Sequence, residues 1–163
     1  MTEQERQVHA SLAALGIAFE RYEHPPVASA AGAEEHWSGI DAVHTKNLFL
    51  RSQKGLRHYL VILALLKRAD LRAVADQIGE GRLSFGTPER MMTYLGVTPG
   101  SVSPFGLIHD TTKAVHVCLD RALKASGRIS FHPNINTATL VLTFADFERF
   151  LASRGNPVRY VTI

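Results

Sequence analysis

The sequence holds a single cysteine, Cys118, in 163 residues, so no intrachain disulfide and no cysteine-based zinc site can form. It has no long apolar run. The longest unbroken stretch, residues 59–66, is far short of the roughly 20 residues that cross a bilayer. The opening residues (Met1-Thr2-Glu3-Gln4-Glu5) are polar and acidic, which is not the pattern of a secretion signal. Several catalytic signatures are missing as well. There is no Gly-x-x-x-x-Gly-Lys-Ser/Thr loop, no Gly-x-Gly-x-x-Gly, no His-Glu-x-x-His and no Gly-x-Ser-x-Gly elbow. The eight histidines (His9, His24, His36, His44, His58, His109, His116, His132) are scattered singly, which argues against a metal site. These absences exclude a membrane protein, a secreted disulfide scaffold and the common nucleotide and metal enzymes. They leave a cytoplasmic domain as the expectation.

What is present is an average globular composition. Hydrophobic residues make up 45% and charged residues 20%, enough apolar material to oppose disorder. The length suits one domain over residues 1–163. Net charge is only +3, but it is unevenly spread. Residues 46–72 carry seven basic side chains (Lys46, Arg51, Lys54, Arg57, Lys67, Arg68, Arg72) against Asp70 alone, a local +6 on a remainder of −3. Clustered Lys and Arg displace counterions from phosphates, so the segment suits a polyanion; a solvated hairpin is the plainer reading of charge taken alone.

Local signals predict a mixed order of elements. Thr2 and Glu5 form a capping box for a helix over about residues 3–15, stopped by Gly16. A short strand follows over 17–22, and Ser29 opens a small second helix running to about Glu35. Residues 46–52 and 57–64 read as a β-hairpin turning at Lys54-Gly55 and carrying most of the basic side chains. Asp70 and Thr87-Pro88 begin two further helices, closed by Gly79 and Gly96. Residues 99–106 read as a Gly/Ser/Pro loop. Strands are expected near 83–85, 114–119, 129–131, 139–144 and 158–163, with a short helix capped by Asp120 and an amphipathic one over 145–153. Such mixing without strict βαβ alternation predicts an α+β domain around a central mixed sheet. Cys118, mid-strand between Val117 and Leu119, reads as a core residue.

Three features stand out. Lys46-Asn47 opens an apolar strand. The loop Gly100-Ser101-Val102-Ser103-Pro104 offers backbone N–H groups and hydroxyls, which can cradle a carbonyl, carboxylate or phosphate. Phe131-His132-Pro133-Asn134 sets a His and an Asn at a strand end, where rigid scaffolds present functional groups. Each alone is also compatible with an ordinary rim residue or turn.

In this order, Lys46-Asn47-Leu48-Phe49-Leu50, Gly100-x-x-x-Pro104 and Phe131-His132-Pro133-Asn134 resemble the signature of the YbaK-like superfamily. Residues 95–104 and 136–139 add to the likeness, which runs along nearly the whole chain. The superfamily includes the editing domain inserted in bacterial prolyl-tRNA synthetases and its free-standing relatives. Among these the chain is most similar to the alanyl-tRNA(Pro) deacylases of the ProX (PrdX) type. The resemblance implies a partly barrel-like mixed sheet flanked by helices, and trans-editing hydrolysis of mischarged tRNA without a cofactor or metal. Lys46 and His132 would be catalytic; Asn47, Gly100, Ser101, Val102, Ser103, Pro104 and Asn134 would bind substrate. Lys46, Arg51, Lys54 and Arg57 would face the acceptor end of tRNA(Pro). Prolyl-tRNA synthetase would be a transient partner, no membrane is involved, and monomer and homodimer are both compatible. Rival readings are another mischarged substrate (Cys-tRNA(Pro) or Ser-tRNA), a non-catalytic tRNA- or synthetase-binding module, and a small-ester hydrolase.

Overall fold

A computed structural model of the chain describes residues 1–27 and 30–163; the expected cap Ser29 lies outside the described residues. Helix α1 (Glu3–Ala14) starts where the capping box predicts, with the Thr2 hydroxyl accepting from the Glu5 N–H. The second half of that box does not form. The Glu5 carboxylate is buried and instead accepts hydrogen bonds from Arg21 and His9, tying α1 to β1 (Glu20–Glu23). Helix α2 (Ala30–Trp37) follows, then β2 (Val43–Ser52) and β3 (His58–Ala64). Helix α3 (Leu71–Ile78), strand β4 (Leu83–Phe85) and helix α4 (Pro88–Leu95) come next, both helices with the predicted caps. The chain ends with β5 (Val115–Asp120), β6 (Arg128–Phe131), β7 (Ala138–Thr143), α5 (Phe144–Arg154) and β8 (Val158–Val161).

Strand β1 starts three residues later than the 17–22 reading and β2 three residues earlier than the 46–52 reading, and one segment changes type. Pro104–His109, expected to be loop at its start, is a 3₁₀ helix capped by the Ser103 hydroxyl, which accepts from the Phe105 N–H. Gly106 is required there, because a Cβ would sit 2.8 Å from the Leu95 backbone oxygen.

The strands form a mixed sheet in the order β1-β7-β6-β2-β3-β5-β8, with β4 branching from β2. β2 pairs antiparallel with β3 along most of its length. Its other edge is shared: β6 pairs at Val43–His44 and β4 at Leu50–Ser52. Between them, from Lys46 to Leu48, no strand among the described residues pairs with β2 on that side, and the candidate site opens at this gap.

Side chains alternate across the hairpin, as strand geometry requires. Phe49, Leu60 and Ile62 join the larger core with Phe105, Phe131, Phe147 and Phe150. Leu50, Val61 and Leu63 join a second core with Val74 and Cys118 on the opposite face. Burying both faces explains why β3 is an unbroken apolar run. Among the described residues no helix is long and apolar enough to cross a membrane.

Candidate active site

A cavity of about 290 Å³ lies at the gap in β2. It is lined by Lys46 and Asn47 from β2, Gly100 and Val102 from the loop before the 3₁₀ helix, and His132 from the end of β6. Ala33 and Trp37 of α2, with Val27, Thr45 and Leu65, complete the wall. The three sequence features, 86 residues apart at their extremes (46 to 132), thus meet at one place. Lys46 is half-buried and is in no ion pair among the described residues. Its cross-strand partner is Leu63, and that of Asn47 is Ile62. The two side chains therefore leave β2 on opposite faces and bracket the gap.

Gly100 turns the loop with φ +89°, a left-handed conformation that a side chain disfavours. Other expected site residues sit elsewhere. Ser103 and Pro104 are buried as cap and first residue of the 3₁₀ helix, so they shape the loop from beneath without lining the cavity. Ser101 and Asn134 line a separate cavity of about 260 Å³ with Thr98 and Asn136. Asn134 holds φ +63°, and neither end of its buried amide has a partner among the described residues.

His132 donates from Nδ1 to the Ala138 carbonyl at 3.0 Å, which leaves Nε2 as a bare acceptor. Burial, helped by the neighbouring His24 ring, pushes its pKa below the ordinary histidine value, so the ring is neutral at pH 7. The sequence reading scattered the histidines; the fold gathers four. His24, His44 and His132 lie against Trp37, with ring centroids 5.2 to 5.7 Å away, and His36 stacks on His24 at 6.2 Å. Trp37 is 5% exposed and was not among the expected site residues. Its being the sole tryptophan was the available signal. Among the described residues no group of His, Cys, Asp and Glu is arranged to hold a metal.

The basic hairpin divides into unlike ends. Arg51 lies about 17 Å from Lys46 along β2 at roughly 3.3 Å per residue, and Lys54 sits beyond it in the turn. Arg57 is engaged by Glu80, its Nε donating at 3.2 Å. Lys67 is held by Asp120 at 2.6 Å.

A hairpin lysine, a glycine-turned loop and a neutral histidine around one cavity, on a branched mixed sheet, define a family. Residues 24–150 match the family model for the aminoacyl-tRNA editing domain, and the chain belongs to that family. It is a deacylase: editing is hydrolysis of the ester that joins an amino acid to tRNA. Over 157 residues the chain is 38% identical to the prolyl-tRNA editing protein ProX of Acetoanaerobium sticklandii, covering 96% of this chain and 95% of that one. It is 34% identical over 149 residues to the prolyl-tRNA synthetase associated domain-containing protein 1 of Bos taurus, covering 89% and 86%. A solved structure described as a candidate trans-editing enzyme for prolyl-tRNA synthetase shares the fold, with TM-score 0.75, 23% identity and coverage of 100% and 99%.

Proposed function

We propose that the protein removes alanine from mischarged tRNA(Pro), acting in trans. The observation that carries this reading is the cavity itself: a space of about 290 Å³ walled by Ala33, Val27, Val102 and Trp37, and lined also by Lys46, which is in no ion pair among the described residues. The similarity to a prolyl-tRNA editing protein supports the tRNA. The chemical need supports the amino acid. A synthetic site built for proline rejects a smaller side chain by only about 1–3 kcal/mol per missing methylene, so a second, narrower sieve is required.

In this reading Lys46 binds the terminal phosphate or ribose and offsets negative charge as the tetrahedral intermediate forms. Gly100 and Val102 present backbone N–H groups toward the amino-acid end, while Ser101, Ser103, Pro104 and Asn134 hold the loop and strand end in shape. His132 and Asn47 orient the attacking water. The acceptor stem follows the hairpin toward Arg51 and Lys54, with Arg57 shared between RNA and Glu80.

The test is a panel of Ala-, Pro-, Cys- and Ser-tRNA incubated with purified protein. Rapid loss of alanine from tRNA(Pro) with Pro-tRNA(Pro) spared is the expected result. Preference for cysteine or serine would reassign the substrate, and salt-sensitive tRNA binding without hydrolysis would make the protein a binding module.

A further inference from the structure

Behind the main cavity lies a much smaller one, of about 10 Å³, lined by Trp37, Thr45, Asn47, Ser130, Phe131, His132 and Thr139. That volume is close to the minimum for a single water, roughly 10–15 Å³. Three lining residues (Trp37, Asn47, His132) also line the main cavity, so the two chambers are neighbours.

The polar groups of the inner chamber can be accounted for one by one. The Thr45 hydroxyl donates to the Ser130 carbonyl at 2.8 Å. His44 donates from Nε2 to the Trp37 carbonyl at 3.1 Å, so its Nδ1 accepts from the Ser130 hydroxyl at 2.7 Å. His24 donates from Nδ1 to the Pro25 carbonyl at 2.9 Å, so its Nε2 accepts from the Thr139 hydroxyl at 2.8 Å. The Asn47 amide nitrogen points to the Thr45 hydroxyl at 3.5 Å, which fixes the amide oxygen on the other side. The hydroxyl protons are thereby spent, and besides the second N–H of the Asn47 amide three groups are left over. The Trp37 indole N–H and the Asn47 amide oxygen have no hydrogen-bond partner among the described residues. His132 Nε2 is a bare acceptor, because Nδ1 carries the proton.

One donor and two acceptors are the complement of one water molecule. A water accepts one hydrogen bond, donates two, and keeps one lone pair. Buried polar groups are almost always satisfied, and a chamber of this size has room for one such molecule. We propose that Trp37, Asn47 and His132 clamp a single water in this chamber and that it is the nucleophile of the deacylation.

The inference rests on the deacylase reading for the reaction, and on the hydrogen-bond accounting alone for the water site. In the step, the free lone pair forms a bond to the ester carbonyl carbon in the main cavity. A water proton passes to His132 Nε2. Collapse of the intermediate breaks the bond to the ribose oxygen, which takes that proton from His132. The products are a free amino acid and an intact tRNA 3′ end. The Trp37 indole N–H bonds only the water and takes no part in the proton transfer, so Trp37 is a positioning residue, one that the sequence motifs do not contain.

The test has a structural arm and a kinetic arm. A crystal structure of the wild-type protein at 2 Å or better is expected to show one water within hydrogen-bond distance of all three groups; a chamber without it overturns the site. Trp37→Phe keeps an aromatic ring and deletes the N–H. It is expected to lower kcat on the preferred aminoacyl-tRNA at least tenfold with KM changed less than twofold. Asn47→Leu, which removes the acceptor at similar volume, is expected to do the same. If both variants fold and keep wild-type kcat, the water is structural and the proposal falls. If the wild-type protein hydrolyses no aminoacyl-tRNA, the functional reading fails while the crystal arm still decides the clamp.

Discussion

The two ends of β2 are built on opposite rules. At the turn end Ser52, Arg57 and Arg90 all have partners. Arg90 donates from Nη1 to the Gly55 carbonyl at 3.0 Å and to His58 Nε2 at 2.8 Å, and the His58 ring lies tilted against Tyr94 at 4.0 Å. Arg57 is held by Glu80, and the Ser52 hydroxyl accepts from the Arg57 N–H at 3.1 Å. At the gap end, about five residues away, Lys46 is in no ion pair, and the Trp37 N–H and Asn47 amide oxygen are unpaired among the described residues. Leaving a buried polar group without a partner costs roughly 1–3 kcal/mol, so a fold tolerates it where something else will complete the bond. The turn end is a fastening, and the gap end leaves polar groups open for the binding role proposed for it.

The sharpest way to break this contrast is at Lys46. Lys46→Ala is expected to cut kcat/KM for deacylation at least 100-fold, about 2.7 kcal/mol of barrier, with thermal stability unchanged. Wild-type turnover would show that the unpaired lysine is an ordinary rim residue. The next effect belongs to His132. His132→Ala is expected to slow hydrolysis roughly tenfold or more, or to erode the alanine-over-proline preference. Because burial holds the His132 pKa below 6.5, its neutral form dominates at pH 7, and the wild-type rate should stay flat through neutrality and fall only under more acid conditions. A rate that falls steadily from pH 8 to pH 7 would remove His132 from the chemistry.

The turn end should answer differently. Arg51→Glu with Lys54→Glu is expected to raise KM for aminoacyl-tRNA several-fold and flatten its salt dependence, with kcat within about twofold, measured between 50 and 200 mM salt. An unchanged KM would confine RNA contact to the gap end. Smallest in activity is Arg90→Met, which deletes the His58 and Gly55 bonds. It is expected to leave turnover within about twofold and cost roughly 1–2 kcal/mol of stability in urea unfolding. The same region carries a pH signature. Burial first, then the charges of Arg90 and Arg51, lower the His58 pKa; burial lowers those of His44 and His132 too. Folded-state values below 6.5 mean that the unfolded chain binds more protons in acid. Stability is therefore complete above about 6.5 and is lost as pH falls through that region toward the folded values. A melting temperature that rises between pH 7 and pH 5.5 would contradict this sign.

Most of the architecture was legible in the chain because its signals are local. Thr2, Asp70 and Thr87 cap the helices they were expected to cap, and Gly79 and Gly96 end two of them in left-handed conformations. The β2–β3 hairpin follows from two apolar runs around Lys54-Gly55. The 3₁₀ helix at Pro104 was not legible, since Ser-x-x-Pro-Phe-Gly fits a loop equally well and packing on Leu95 decides it. The site divides in the same way. Lys46, Asn47, Gly100, Val102 and His132 were readable as motifs and line one cavity. Ser101 and Asn134 have the same motif membership but open onto another, because adjacent residues in a tight turn point apart. Trp37 belongs to no motif: nothing in its flanking residues tells that a helix end will bring it against His24, His44 and His132. Charge misled most. The +6 segment is a linear count, and the fold returns Arg57 and Lys67 to acidic partners outside that segment.

The lone cysteine has a practical consequence. Cys118 lies on β5 between β3 and β8, fully buried, and burial pushes its thiol up to about 11. A maleimide added to the native protein therefore meets no accessible thiolate until β5 separates from its neighbours. With one thiol per chain, each maleimide addition at that thiol records one such opening, and its rate in mild denaturant becomes a clock for the least frequent motion of the sheet. Variants at either end of the hairpin can be ranked on that clock by mass spectrometry, in the presence and absence of tRNA.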